Sequence, residues 1–129
     1  MKIAWFTPFY PESAIGQVSK LVCEELQKST EVHVFASEQN ETIPSSVQVI
    51  KFSPLTFDTR QLARYDHVVY NMGNYARNHK DIWEVMQRHP GILLLHDQIM
   101  QNFFHQITMM PEFGGSPITG EDEYLNIMR

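Results

Sequence analysis

Five short apolar runs stand out along the chain: Ile3 to Phe6, Val32 to Ala36, Val47 to Phe52, His67 to Met72 and Ile92 to Leu95. Their β-branched and aromatic content predicts strands. Between them the period lengthens. From Ser13 to Ser29, Val18, Leu21, Val22 and Leu26 recur at helical spacing with the apolar members on one face, and Ser13 is placed to cap the helix. After the fourth run, Ile82, Val85 and Met86 mark a second amphipathic helix that must end before Pro90 and Gly91. After the fifth, Ile99, Met100, Phe103, Phe104 and Ile107 repeat at three and four residues, with Asp97 as the predicted cap. A short helix between Thr59 and Tyr65 is expected to lead the chain into the fourth strand.

Continuously apolar strands separated by helices are the pattern of a mostly parallel sheet covered on both faces, so the fold class is α/β, Rossmann-like, in a single domain. The segment from Ser37 to Ser46 is polar, contains Pro44 and is short for a helical crossover. It leaves the direction of the third strand open, an antiparallel or irregular edge being one outcome. Residues 1–108 read as the domain, and residues 109–129 as a loop followed by a helix start at Thr119 to Asp122. We expect that helix to be cut short, so that the chain is part of a longer protein.

Charge and composition narrow the function classes. A chain of 129 residues that is 43% hydrophobic suffices for one core. Charged residues make up only 19% and the net charge is −5, with no run of Lys or Arg, which disfavours nucleic acid as a partner. The sparse charge also predicts an apolar surface that needs covering, by a partner domain or by self-association into a homo-oligomer. Cys23 is the sole cysteine and sits in an apolar helical pattern, as a buried thiol in a reducing cytoplasm would. The N-terminus lacks the features of a signal peptide, and no run approaches the length of a membrane span.

In an open parallel sheet, ligands bind beyond the carboxyl ends of the strands. Three loops are predicted to lie there. The first, Thr7 to Gln17, carries Gly16, where a phosphate or sugar could approach the backbone at the start of a helix. The same glycine is equally consistent with a plain turn. The second, Asn71, Met72, Gly73 and Asn74, offers amides suited to sugar hydroxyls and leads toward His79. The third holds His96 and Asp97 directly after the fifth strand, where an imidazole could serve as base or hydrogen-bond donor and the carboxylate could orient it or cap the following helix. The remaining histidines show no zinc-like spacing, and the stripe of Met100, Phe103 and Phe104 reads as core.

The order "MKIAWFTPFYPESAIGQVSKLVCEEL", "EVHVFAS", "YDHVVYNMGNYARNHKDIWEVMQRHPGILLLHD" resembles the N-terminal domain of family-4 glycosyltransferases, retaining enzymes of the GT-B architecture, over residues 1–108. The combination of "YNMGN", a histidine a few residues on, "HPG", an apolar strand and "LHD" carries the resemblance. It implies two Rossmann-like domains facing a cleft, the N-terminal one binding the sugar acceptor and a C-terminal one, beyond this chain, binding the nucleotide-sugar donor. It implies His96 near the reacting sugar with Asp97 beside it. It places Ile15, Gly16 and Gln17 near the donor phosphates, and Asn71, Gly73, Asn74 and His79 along the acceptor or sugar pocket. The family often has two adjacent glycines in the first loop; Ile15 replaces the first here, and part of the backbone access is lost. No metal and no cofactor other than the nucleotide-sugar co-substrate is implied, and this chain alone is not expected to catalyse transfer. The competing readings are a dinucleotide-binding module, with Glu38 about twenty residues after Gly16 as the ribose-binding acid, and a non-catalytic interaction module.

Overall fold

The computed structural model describes residues 1–39, 41–97 and 101–109. The expected helix start near Thr119, the expected division of the chain into residues 1–108 and 109–129, and the expected turn from Asp97 through Ile99 and Met100 lie wholly or partly outside them. Five parallel strands form one sheet in the order β3-β2-β1-β4-β5. They are β1 (Lys2–Phe6), β2 (Glu31–Ser37), β3 (Gln48–Phe52), β4 (His67–Met72) and β5 (Ile92–Leu95). The helices are α1 (Ala14–Leu26), α2 (Ala76–Arg88) and α3 (Gln101–Met109), with a 3-10 turn at Thr59–Arg64. The architecture is the Rossmann-like α/β class that the strand pattern predicts.

Alternation along the strands divides the core in two. One face gathers Phe6, Phe35, Phe52, Val68, Tyr70 and Met72 under α2, α3 and the 3-10 turn. Phe6 is its centre: it stacks on Phe35 at 4.7 Å between ring centroids and meets Phe52, Phe57 and Tyr70 within 5.8 Å. The other face gathers Ile3, Trp5, Val32, Val34 and Val69 under α1. Winding reverses between β1 and β4, which fixes the crevice at their carboxyl ends as the switch point of the sheet.

The structure answers the question left open about the third strand. The third strand is neither antiparallel nor irregular: β3 runs parallel to β2, in register from His33↔Gln48 to Ser37↔Phe52. The connection from β2 manages this without a helix because Ile43 and Val47 sink into the α1-side core, and Ile43 N donates to Phe9 O at 2.9 Å. Two buried anchors on a loop thus do the covering a crossover helix would do.

The apolar stripe of α1, Val18, Leu21 and Val22, faces outward, with Leu21 67% exposed, while Gly16, Ser19 and Cys23 face the sheet. The sheet-facing residues are small because Trp5 stands beneath them, its Nε1 donating to Ser19 Oγ at 3.0 Å. Ser19 Oγ also lies 2.7 Å from Thr7 Oγ1, so the helix is seated by hydrogen bonds as well as by packing. Burial pushes the Cys23 thiol up to about 12, as expected for an inert buried cysteine. Replacing Leu21 by Lys is therefore expected to change stability by no more than about 0.5 kcal/mol, measured by urea denaturation. A loss of about 2 kcal/mol or more would mean the residue is covered in solution.

The strand β5 is open as well. Ile92, Leu93, Leu94 and Leu95 are each exposed, up to 53% for Leu95. Backbone ties hold it in place: Tyr70 Oη donates to the His89 carbonyl before the strand, and His96 N donates to Met72 O at 2.9 Å after it. Among the described residues no helix is long and apolar enough to cross a membrane.

Candidate functional site

The carboxyl ends of β1, β4 and β5 bring the three predicted loops together. Asn71, buried near the end of β4, is the junction. Its Nδ2 donates to Phe6 O on β1 at 2.8 Å, which leaves Oδ1 as the acceptor. His96 Nε2 lies 2.9 Å from that Oδ1, so His96 donates through Nε2 and, when neutral, carries its lone pair on Nδ1. The Asn71 backbone carbonyl accepts from His79 Nδ1 at 3.0 Å, which leaves the lone pair of His79 on Nε2. One residue thus sets opposite tautomers on two imidazoles.

Gly73 shows how close the loops come. A methyl at its α-carbon would lie 2.7 Å from His79 Nε2, 3.0 Å from Ile15 Cδ1 and 3.2 Å from Asp97 Oδ2. Residues from all three loops therefore meet at one point, packed too closely for any side chain at position 73. Asp97 also accepts from Asn74 N at 2.7 Å through Oδ2. Of its two expected roles, capping α3 or orienting His96, the first reaches residues outside those described; what the geometry gives is a clasp between the second and third loops. Asn74 Oδ1 accepts from Phe103 N at 2.9 Å and so ties the rim to α3.

The first loop departs from expectation. Gly16 is buried beneath it: a methyl on its α-carbon would lie only 2.8 Å from Pro8 O, and its amide donates to Ser13 Oγ at 3.0 Å. Its backbone is spoken for by the helix cap, which corrects the expectation that a phosphate could approach there. The open start of α1 is at Ala14 and Ile15 instead. Gln17 lies on the exposed side and donates from Nε2 to Pro11 O, bracing the loop. Of the predicted site residues, then, Ile15, Asn71, Gly73, His79, His96 and Asp97 converge, Asn74 links them to α3, and Gly16 and Gln17 shape the loop from behind.

Sequence reasoning missed the contact that closes one side of this rim. Tyr10 Oη donates to Asn78 Oδ1 at 2.6 Å, joining the first loop to the first turn of α2. Tyr10 between two prolines and Asn78 beside His79 were visible as polar residues, but nothing in their spacing pairs them. The electrostatics of the rim are set by burial. Burial pushes His79 down to about 4; the Asn71 carbonyl and Asp97 oppose this, and His96 adds to it. His79 is thus neutral at pH 7. Among the described residues no group of three or more His, Cys, Asp or Glu could hold a metal ion.

The chain matches no protein-family model, no curated protein and no solved structure.

Proposed function

We propose that this chain is the acceptor-binding half of a retaining, nucleotide-sugar-dependent glycosyltransferase of the two-domain GT-B kind. The observation that carries this reading is the meeting of Ile15, Asn71, Gly73, His79, His96 and Asp97 at the switch point of a parallel sheet. The exposed groups there, the His96 imidazole and the Asp97 carboxylate, are suited to hydroxyls, with the neutral imidazole of His79 buried behind them. In this reading His96, at the open end of β5, contacts the reacting sugar, and Asp97 holds the loop that presents it. The donor sugar's diphosphate is held by a second domain, facing this rim, with the start of α1 contributing its dipole. Transfer takes place in the cytoplasm or at a membrane surface, where a buried reduced Cys23 is stable. The exposed side chains of β5 and α1 form surface for that second domain or for a second copy of the chain.

The dinucleotide reading draws on Glu38, which directly follows β2 at the rim. Against it stands the closed backbone of Gly16, where a dinucleotide's pyrophosphate would need open amides.

The test is a titration of the isotope-labelled chain, followed through its backbone amides, with methyl α-D-glucopyranoside, UDP-glucose and NAD. Sugar ligands are expected to move Ile15, Asn74 and His96, and His96→Ala is expected to weaken them by about tenfold, the worth of one well-made hydrogen bond. Tighter binding of NAD than of UDP-glucose would overturn the reading in favour of a dinucleotide module.

A further inference from the structure

Among the described residues β5 is an edge of the sheet, bonded on one side to β4 and open on the other. His96 N donates to Met72 O, so by the alternation of a strand the amides and carbonyls of Leu94 and Ile92 face β4 as well. Those of Leu93 and Leu95 point to the open side, where a main-chain group needs a partner. Edges of this kind are usually blunted by a lysine, a proline or a bulge. The strand Ile92 to Leu95 has none of these, and its register with β4 is unbroken. Beside it lies a hollow of about 220 Å³ with a wholly apolar lining: Met72, Trp83, Met86, Leu93, Leu95 and Phe104. An apolar cavity of about 150 Å³ already admits a benzene ring, so this one has room for a leucine or phenylalanine side chain. Leu93 and Leu95 belong to both features, with their main chain on the open edge and their side chains bordering the hollow.

We propose that β5 takes up an extended polypeptide strand, paired to the main chain of Leu93 and Leu95, with an apolar side chain of that strand seated in the hollow. Residues of an added strand that lie opposite Leu93 and Leu95 point to the same face as they do, and so over the hollow. Backbone hydrogen bonds and apolar contact are met together by a peptide in extended conformation. A lipid chain would fill the hollow and leave the main chain unpaired. Size separates the strand from a second copy of this chain. The four side chains of β5 are between 38% and 53% exposed. They offer on the order of 300 Å² in all, whereas an interface between two folded proteins buries about 800 Å² on each. That is enough for one strand and too little for a second globular face. The inference rests on the edge of the sheet and not on the sugar reading of the rim.

The probe is the end-blocked peptide Lys-Thr-Leu-Thr-Leu-Thr-Lys, whose leucines share one face of a strand, titrated into the full isotope-labelled chain. It is expected to slow hydrogen exchange at the amides of Leu93 and Leu95 by about tenfold or more, to leave that of Leu94 as it was, and to shift the Trp83 indole signal. Leu93→Pro removes one outward donor and spares the ladder to β4, so it is expected to weaken the peptide by about tenfold, whereas Leu93→Val changes it by less than about threefold. The exchange readout on the unaltered chain decides the matter even if Leu93→Pro does not fold. Peptide binding that shifts Trp83 without protecting Leu93 and Leu95 overturns the added strand and marks the hollow as a plain apolar pocket. Protection of those two amides that rises with chain concentration in the absence of peptide also overturns it, with a second copy as the occupant. A peptide that moves neither the edge nor the hollow overturns it as well. None of these results bears on the titration with sugars, so the two readings fail separately.

Discussion

Phe6→Ala is expected to destabilise the chain by about 3–5 kcal/mol, the usual range for deleting a fully buried phenylalanine. The ring has no exposed surface and touches four other aromatic rings drawn from β2, β3, β4 and the segment after β3. No neighbour can move into the gap without breaking its own pairing, so the cavity persists and the high end of the range applies. The effect reaches the rim as well. Phe6 O is the acceptor for Asn71 Nδ2, so a β1 that shifts to fill the cavity slackens the bond that orients His96. Chemical denaturation gives the first number. The loss of His96 amide protection in hydrogen exchange, beyond what global unfolding accounts for, gives the second.

Acidification supplies the other large effect. An unfolded histidine takes up its proton near 6.5, whereas burial holds His79 down to about 4 in the fold. Between those values the unfolded state binds more protons, so stability is complete above about pH 6.5 and declines as the pH falls. From this one group the expected loss is about 2 kcal/mol at pH 5 and about 3 kcal/mol at pH 4. The carboxylates of Glu24 and Asp58, lowered by their bonds to Lys20 and Arg60, begin to lose their stabilisation only below about pH 4.5, Asp58 being solvent-exposed and Glu24 partly so. Urea midpoints of the wild type and of His79→Asn between pH 4 and 7.5 isolate the term: the difference between the two curves should narrow as pH falls. Parallel curves would show that His79 is hydrated in solution.

The sheet was readable in the sequence because β1, β2 and β4 are near-continuous apolar runs buried on two faces, and β5, though exposed, carries the same kind of run. The direction of β3 was not, because the rule that a parallel crossover needs a helix ignores what Ile43 and Val47 can do from a loop. The seating of α1 was not readable for a related reason. Periodicity locates a stripe but does not say which stripe meets the sheet; here the large apolar stripe lies outside, and the small one, Gly16, Ser19 and Cys23, fits over Trp5. At the rim, residue types pointed to three loops that the fold brings together, although Asn71 and His79 are themselves buried. The tautomers were hidden. They follow from Asn71 reaching Phe6 across 65 positions of sequence and His96 across 25, pairings that no local pattern encodes.

That a single asparagine holds both imidazoles has a consequence for how this rim can change. The two rings depend on different parts of it: altering the Asn71 side chain releases His96 and the tie to Phe6, whereas the main-chain carbonyl that holds His79 is kept by any residue at that position, so the His96 tautomer can be reset there while that of His79 stays.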